Sequence, residues 1–226
     1  MHCGICDGTT FTTQQVLWKQ LVADWQLSPA EADYINRQQG QFCTQCGANL
    51  RSIALANAIR AFFRTDKLLQ ELPGLPEFAD ARILEINDAG MLTPILRQFR
   101  HHVHGTYPEM DIHALPCADQ AFDLVLHSDT LEHVENPIHA LSECRRVLRP
   151  RGALCFTVPM VVGRMSRNRV GLPRSYHGNP ATGSEDYAVQ TEFGADAWTY
   201  VMEAGFTEVA LHAVAYPSGV AFLARR

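Results

Sequence analysis

The sequence predicts an α/β fold with a buried, mostly parallel sheet, preceded by a small helical module that binds a metal. The first observation is that two short apolar runs, at residues 122–128 and 153–159, bracket an amphipathic segment. Strand–helix–strand units of this kind build parallel sheets, with ligands at the carboxyl ends of the strands. The second observation is that further strand-like runs occur on both sides of this unit, and the third is that two CxxC pairs lie within the first 50 residues.

Composition limits the class of protein. A chain of 226 residues is long enough for one large domain and a small appendage. The net charge of −5 argues mildly against nucleic-acid binding. No apolar run approaches the roughly 20 residues that span a bilayer, and the N-terminus lacks the pattern of a secretory signal. We therefore expect a cytoplasmic protein without membrane contact; seven cysteines, an odd number, argue against a disulfide framework.

The two CxxC pairs predict a structural zinc site. They are separated by 36 residues, and each can direct two thiolates at one ion. Two such pairs complete the tetrahedral Cys₄ shell that structural zinc prefers. Gly4 and Gly47 lie inside or next to these turns, where unusual backbone angles are needed. The four ligands are Cys3, Cys6, Cys43 and Cys46, with His2 as a substitute; a redox role for one pair, or unrelated cysteines, are the alternatives.

The residues between the pairs predict two helices. Apolar side chains recur at helical spacing over residues 14–25. Ser28 and Glu31 form the sequence of a capping box, with a proline at the first helical position, so a second helix should run to about residue 39. We expect a zinc-binding module over residues 1–50, connecting helices over residues 51–79 and the main domain over residues 80–226.

The main domain opens with a strand at residues 81–86, a helix from about residue 88 to 99 and a strand at residues 100–105. The last of these carries three histidines, and strand alternation turns His102 and His104 to one face and His101 to the other, which disfavours a metal site. After the strand at residues 122–128 we expect a helix at 137–148, a turn at 150–152 and the strand at 153–159. An irregular insertion over residues 160–192 precedes a helix at 195–204 and strands at 207–216 and 219–224.

Several matched pieces in order give a resemblance to a family. They are Asp111 with Leu115-Pro116, Phe122-Asp123, Leu131-Glu132-His133, Arg146-Val147-Leu148 with Pro150 and Gly152, and Val158-Pro159. Residues 80–226 resemble S-adenosylmethionine-dependent methyltransferases of the Rossmann-like class, similar to methyltransferase type 11. The resemblance implies a seven-stranded sheet with helices on both faces, and S-adenosyl-L-methionine as cofactor.

The resemblance also implies which residues bind the cofactor. Glu85 matches the acid that ends the first strand and assists binding of the amino-acid part. The glycine-rich loop of the family is replaced here by residues that include Asn87, Ala89 and Gly90; asparagine tolerates positive φ and alanine is small, so a tight turn is still buildable. At the end of the second strand, where the family has an acid for the ribose hydroxyls, either Tyr107 or Glu109 takes that role or the contact is lost. The adenine would contact the Asp111 carboxylate and the Ile112 backbone N–H.

The switch point of the predicted sheet lies between the first and fourth strands of the family, where ligands bind. The residues at this point are His127, Ser128 and Asp129, and His127 is our first choice for lining the methyl site. His133 follows one turn later. The insertion should cap the site and bring His177 or Tyr176 to the acceptor. The alternative for each histidine is a hydrogen-bonded scaffold role, and for the insertion a surface loop.

The predicted function is methylation on oxygen of a small polar or anionic metabolite such as a sugar or a natural-product intermediate. Four arginines of the insertion could hold a carboxylate or phosphate of the acceptor: Arg164, Arg167, Arg169 and Arg174. One alternative is an RNA or protein methyltransferase that docks through the zinc module, although residues 1–50 hold only Lys19 and Arg37 as basic side chains. Another is a non-catalytic binding protein with an altered cofactor loop. A homodimer is left open.

Overall fold

A computed structural model describes residues 1–176 and 187–226 of the chain. The N-terminal module pairs two short antiparallel strands and carries two helices. Its elements are β1 (Phe11–Thr13), α1 (Lys19–Asp24), α2 (Pro29–Gly40) and β2 (Gln41–Cys43). The predicted capping box is present at the start of α2, because the Glu31 backbone N–H donates to Ser28 Oγ (3.3 Å) and the Ser28 backbone N–H donates to Glu31 Oε2 (2.8 Å).

The first predicted helix begins later than the apolar spacing suggests. Residues 14–18 have no regular secondary structure and contact α2 instead. The Asn36 side-chain oxygen accepts from the backbone N–H groups of Val16 (2.7 Å) and Leu17 (3.1 Å). These two N–H groups are satisfied by a side chain that is distant in sequence, so the segment has no need of a helical turn.

The remaining elements build a central sheet with helices on both faces. They are α3 (Leu50–Phe62), β3 (Arg82–Ile86), α4 (Thr93–Leu96), β4 (His101–Gly105), β5 (Phe122–Ser128), α5 (Pro137–Val147), β6 (Leu148–Thr157), β7 (Met160–Val161), β8 (Arg167–Asn168), β9 (Thr191–Gly194), α6 (Ala197–Glu203), β10 (Glu208–Val214) and β11 (Gly219–Arg225). Short 3₁₀ turns occupy Leu69–Gly74, Pro76–Phe78, Gly90–Leu92 and Leu131–His133. None of the helices in the described ranges is long and apolar enough to cross a membrane.

The central sheet has the strand order β10-β11-β6-β5-β3-β4. Strands β4, β3, β5 and β6 are parallel neighbours, whereas β11 is antiparallel to both β6 and β10. The strand order reverses between β3 and β5, which creates the switch point where open α/β sheets bind ligands. This arrangement confirms the predicted Rossmann-like α/β class.

The sheet has six strands within the described residues, one fewer than the seven predicted. The chain between β4 and β5 runs through turns in place of the seventh strand. Pro108 and Pro116 interrupt this segment, and proline cannot donate a ladder hydrogen bond. The sheet therefore ends at β4 on this side.

Two boundaries in the parallel half differ from the prediction. The helix expected over residues 88–99 is reduced to a 3₁₀ turn and the four residues of α4, because Gly90 has φ +61° and Pro94 follows it closely. The turn expected at residues 150–152 lies inside β6. Arg151 has φ +68°, and the register between β5 and β6 shifts at this point, so the turn is an irregularity of a continuous strand.

The helix α3 belongs to the core of the α/β domain, although the sequence placed residues 51–79 in a connecting segment. It packs against β11, β10 and β6 on one face of the sheet, and α5 and α6 cover the other face. The buried residues around α3 are continuous with the N-terminal cysteines. The module is thus packed on the domain through α3.

Candidate functional site

A cavity of about 1040 Å³ lies at the carboxyl ends of β3, β4 and β5. Its size is at the upper end of the range for small-molecule and cofactor sites. The residues on its wall are Asn87, Asp88, Thr106, Tyr107, Met110, Asp111, Ile112, His113, Ser128, Asp129, Thr130, His133, Val134, Glu135, Arg174, Tyr187 and Gln190. The cavity therefore occupies the switch point of the sheet, where the sequence predicts the ligand.

Asn87 forms the turn at the end of β3. It has φ +58°, as the tolerance of asparagine for this region predicts. Its Oδ1 accepts from the Tyr107 backbone N–H (3.1 Å), and its Nδ2 donates to Thr130 Oγ1 (3.1 Å). One side chain thereby ties the ends of three neighbouring strands together around the cavity.

Ala89 and Gly90 shape this turn without lining the cavity. Ala89 is buried, and its backbone N–H donates to Glu85 Oε1 (2.8 Å). Gly90 has φ +61°, and a Cβ placed on it would meet no atom within 4 Å. Both residues were predicted to contact the cofactor, but the structure places them in the loop and off the cavity wall, where they set the conformation of the backbone.

Glu85 is also absent from the cavity wall, which corrects its predicted direct contact with the cofactor. It is fully buried, and His102 Nε2 lies 2.9 Å from its Oε2, while Thr93 Oγ1 donates to its Oε1. Burial raises the pKa of this carboxyl, but these hydrogen bonds outweigh burial and hold its pKa below the usual value. Glu85 is therefore a carboxylate that stabilises the turn through its hydrogen bond with the Ala89 backbone N–H.

The residues predicted to read adenine do line the cavity. Asp111 and Ile112 follow β4, and the Asp111 Oδ1 accepts from the backbone N–H of His113 (2.9 Å), which fixes the carboxylate. Ile112 is buried and supplies an apolar surface. Tyr107 is also on the wall and is about half exposed, whereas Glu109 is exposed and lies off it.

Two carboxylates to which the sequence assigned no role lie on the same wall, although the sequence did place Asp129 at the switch point. Asp88 lies in the loop after β3, with its Oδ1 3.2 Å from His104 Nε2. Asp129 follows β5 directly, has φ +47° and pairs with Arg51 of α3. Asp88 could have been found from its place beside the altered loop. The partner of Asp129 could not, because Arg51 is distant in sequence.

His127 does not line the cavity, which corrects our first choice for the methyl site. It is fully buried in β5, and its ring stacks on Phe156 with centroids 5.0 Å apart. Neither ring nitrogen has a hydrogen-bond partner among the described residues. Burial lowers the pKa of His127 to about 4, so the ring is neutral at physiological pH.

His133 lies on the cavity wall, as does Ser128. The His133 Nδ1–H donates to the carbonyl oxygen of Ala188 (3.2 Å), since a carbonyl can only accept. The ring edge is also near Glu132, with Nε2 3.6 Å from Oε1. Of the histidines predicted at the methyl site, His133 is therefore the one that the described residues place on the cavity wall.

The described part of the insertion contributes to the wall of the cavity. Arg174, Tyr187 and Gln190 line it, and the Gln190 backbone N–H donates to the Glu132 carbonyl oxygen (2.7 Å). Tyr176 forms a β-bridge with Ala188 and lies off the wall. His177, predicted to reach the acceptor, lies outside the described residues.

Three of the insertion arginines pair with Glu31 or Glu192 and lie off the cavity wall. Arg164 binds Glu31 of α2 through two nitrogens, each 2.7 Å from an oxygen. Arg167 and Arg169 both pair with Glu192. The predicted arginine cluster for an anionic acceptor is therefore not assembled at the cavity, although Arg174 lies on its wall.

The four N-terminal cysteines come together as predicted. Their sulfur atoms all lie within 4.8 Å of one another; Cys3 and Cys46 are 3.6 Å apart, and Cys6 and Cys43 are 3.7 Å apart. A tetrahedral ZnS₄ site with Zn–S bonds of about 2.3 Å has sulfur–sulfur edges of roughly 3.8 Å. The donor set and its spacing thus fit a zinc ion.

The two CxxC turns share one backbone geometry. The backbone N–H of Asp7 donates to the Cys3 carbonyl (2.8 Å), and that of Gly47 donates to the Cys43 carbonyl (2.9 Å). Asp7 and Gly47 have φ +63° and +74°, so each turn is closed by a residue in the left-handed backbone conformation. Gly4 is needed for a different reason, because a Cβ there would lie 2.0 Å from Asn57 Oδ1 on α3.

The cysteines outside this cluster are packing residues. Cys144 and Cys155 are fully buried, on α5 and β6. Burial raises the pKa of both thiols well above the usual value, so they stay protonated. Cys117 is half-buried in the loop before β5.

Comparison with known proteins agrees with the resemblance in the sequence. Residues 74–156 match a family model described as a methyltransferase domain. That segment includes β3, β4, β5 and nearly all of β6, the strands whose ends surround the cavity.

Individual relatives are similar over short segments. A protein of Mycolicibacterium smegmatis described as a probable S-adenosylmethionine-dependent methyltransferase is 36% identical over 63 residues, 26% of this chain and 24% of the relative. A malonyl-(acyl-carrier protein) O-methyltransferase of Methylococcus capsulatus is 36% identical over 81 residues, 35% of this chain and 30% of the relative. The chain spans 30% or less of the length of the curated relatives it matches.

Among solved structures, a Thermotoga maritima protein described as an S-adenosylmethionine-dependent methyltransferase has a TM-score of 0.41. It is 18% identical in sequence, and the match covers 78% of this chain and 89% of that protein.

Proposed function

We propose that the protein is an S-adenosylmethionine-dependent methyltransferase. The observation that carries the proposal is a cavity of cofactor size at the switch point, walled by Asp111 and Ile112, in a segment that matches a methyltransferase domain. Bound S-adenosyl-L-methionine would supply a methyl group activated by its sulfonium.

The altered loop is compatible with a cofactor. Ala89 is only 2% exposed, so its methyl group does not project into the cavity where the family has glycine. Gly90 keeps the positive φ that the turn requires, and Asn87 replaces a further glycine while holding the strand ends together. The substitutions therefore leave room for the ligand.

The wall residues have distinct roles in this proposal. The Asp111 carboxylate would accept from the exocyclic amine of adenine, with Ile112 against the ring. Asp88 would accept from the ribose hydroxyls, which replaces the acid that is missing at the end of β4. Ser128 and Tyr107 complete the wall, and Glu85 acts through the turn that it supports.

We propose a small metabolite with a hydroxyl group as the methyl acceptor. O-methylation is supported by Asp129 and His133, which can hold or take a proton from a hydroxyl at the cavity wall. Recognition of an anionic acceptor by the arginine cluster is not part of the proposal, because Arg164, Arg167 and Arg169 are already paired.

We also propose that Cys3, Cys6, Cys43 and Cys46 bind one structural zinc ion. The sulfur spacing and the two matching turns support it. A Cβ on Gly8 would lie 2.6 Å from the Cys43 sulfur, so glycine allows the backbone to pack against the cluster. With four protein ligands the ion would have no open position, and its role would be to hold the module together.

Calorimetry with S-adenosyl-L-methionine and S-adenosylhomocysteine tests the cofactor proposal. We expect both to bind, and Asp111→Asn to weaken binding by about 1–3 kcal/mol, because the amide oxygen still accepts from His113 but one charged hydrogen bond to adenine is lost. The control is Asp66→Asn, an exposed residue after α3. No binding of either ligand at millimolar concentration would favour a non-catalytic protein, whereas unchanged affinity in Asp111→Asn would remove only the adenine contact.

A further inference from the structure

A second, smaller cavity of about 260 Å³ lies between the N-terminal module and the carboxyl edge of the sheet. One side is apolar and comes from the module, with Trp18, Leu21, Trp25 and Ile35 among its lining residues. Leu21, Trp25 and Ile35 are buried, so this is a formed cavity wall.

The second cavity adjoins the candidate cofactor cavity. Asp129, His133 and Tyr187 line both of them. A ligand in the smaller cavity therefore has its inner end at the residues that also border the larger one. Two molecules bound in these cavities would meet at Asp129 and His133.

We infer that the smaller cavity binds the methyl acceptor, and that the acceptor is a small molecule with an apolar, ring-sized body and a hydroxyl group at one end. This inference rests on the proposed function, because it takes the larger cavity as the place of the methyl donor. It replaces the sugar or anionic metabolite that the sequence alone predicts.

The volume and the lining set the chemical class. An engineered apolar cavity of about 150 Å³ binds benzene, so about 260 Å³ accommodates one substituted ring or two small fused rings. A sugar presents hydroxyl groups on every side, and each hydroxyl placed against Trp18, Leu21 or Ile35 without a partner would cost roughly 1–3 kcal/mol. The module wall thus selects for an apolar body.

The inner end of the cavity holds a pair of charged side chains in a fixed position. Arg51, in the first turn of α3, pairs with Asp129, and the side chains of both are less than a fifth exposed. Burial lowers the pKa of Arg51 to about 10, which leaves it protonated at neutral pH. The Asp129 backbone N–H donates to the Thr157 carbonyl (3.1 Å), so the residue is fixed at the end of the strand. A hydroxyl of the acceptor would hydrogen-bond to this carboxylate and point at the larger cavity.

The module wall is held in place by contacts with the insertion. The Trp25 Nε1–H donates to Ser175 Oγ (2.6 Å). Arg164 binds Glu31 and also donates to the carbonyl oxygens of Trp25 (2.8 Å) and Gln26 (2.6 Å). These contacts make the module a fixed part of the site, which disfavours its use as a free arm for docking RNA or protein.

The test is ligand-detected NMR titration of the full chain with 4-methylphenol, and with glucose as the polar probe of similar size. We expect 4-methylphenol to bind at millimolar concentration or below, with or without saturating S-adenosylhomocysteine, and glucose not to bind. Leu21→Phe and Ile35→Phe place larger side chains in the cavity wall, from two different helices, and so reduce the volume of the cavity. Each should weaken 4-methylphenol binding at least tenfold and leave S-adenosylhomocysteine binding unchanged.

The control is Leu211→Phe, the same replacement at an exposed position of β10. The inference is overturned if the wild-type protein does not bind 4-methylphenol or binds glucose more tightly. It is also overturned if Leu21→Phe and Ile35→Phe fold and still bind 4-methylphenol as Leu211→Phe does. Mutual exclusion of 4-methylphenol and S-adenosylhomocysteine would overturn it as well. Loss of S-adenosylhomocysteine binding in the wild-type protein would instead overturn the proposed function. The two failures are therefore distinguishable in one set of titrations.

Discussion

Asn87 shows how a single residue can satisfy a turn that usually needs glycine. Its φ of +58° is accessible to asparagine at low cost, and its amide then bonds both to the end of β4 and to Thr130 after β5. The tolerance of asparagine for this backbone could be predicted from the sequence. The two side-chain hydrogen bonds could not, because they depend on the strand order.

His127 is the residue whose predicted role changes most. It was expected to line the methyl site, but it is fully buried on Phe156, and its pKa is lowered to about 4. The unfolded chain has the ordinary value of 6.5, so the folded state favours the neutral ring. Above about pH 6.5 this preference does not change the free energy of unfolding. As the pH falls from 6.5 through 4, the free energy of unfolding decreases by about 3 kcal/mol in total.

We predict that His127→Phe is as stable as the wild-type protein at pH 7.5, to within about 1 kcal/mol, because the ring still stacks and two unpartnered buried nitrogens are removed. At pH 4.5 the variant should be more stable by roughly 2–3 kcal/mol, since it has no buried imidazole to protonate. Urea denaturation at both pH values measures the difference. His101→Phe, at a partly exposed site of β4, should show no such gain; an equal pH dependence in wild type and His127→Phe would contradict the assignment.

At the scale of elements, strand positions were more predictable than helix boundaries. The runs predicted at residues 81–86, 122–128 and 219–224 coincide closely with β3, β5 and β11, because buried strands need short apolar segments. The helix predicted over residues 14–25 failed in its first turns, where Asn36 captures two backbone N–H groups. Apolar spacing carries no information about such a competitor.

The link between α2 and the insertion depends on the planar geometry of one guanidinium. Arg164 makes two short bonds to Glu31 and two more to carbonyl oxygens at the end of α1. This pairing lowers the pKa of Glu31 to about 2, so the bridge persists at all but strongly acidic pH. Lysine retains the charge but cannot form the paired bonds.

We predict that Arg164→Lys destabilises the protein by about 1–3 kcal/mol, because the paired bonds to Glu31 and the carbonyl contacts are lost together. Chemical denaturation measures the change. The matched control is Arg37→Lys, since Arg37 makes a single exposed bond among the described residues, to Asp33 on the same helix (3.0 Å). That control should change stability by no more than about 0.5 kcal/mol. Equal effects of the two replacements would show that the bridge does not hold the module.

For the whole molecule, the sequence predicted the place of the larger cavity but not the contribution of the N-terminal module. The place of the cavity follows from the switch point of the sheet, which the resemblance to a known family implied. The module wall depends on contacts such as Trp25 with Ser175 and Arg164 with Glu31, which join residues more than 130 positions apart. Local periodicity cannot report pairs of this kind, so the sequence left the module as a separate appendage.

The buried core also joins the cysteine cluster to the sheet. Cys3, Cys6 and Cys43 belong to the same group of contacting buried residues as Ile83 and Leu124. A metal that holds the cysteines would therefore stabilise the entire chain, because the module and the sheet share one core across α3. If the module were independent, its metal would stabilise only the module.

We predict about one zinc ion per purified chain, and a single thermal transition that falls by roughly 5–15 °C when the metal is removed with a chelator, since each kcal/mol shifts the Tm of a chain of this size by about 2–4 °C. Elemental analysis and calorimetric melting measure both quantities. Cys43→Ser should reproduce the effect of the chelator, and Cys117→Ser, in a half-buried loop away from the cluster, should not. A zinc content near zero would reject the site. Two transitions, with the higher one unmoved by the chelator, would show that the metal stabilises the module alone and that the shared core does not couple it to the sheet.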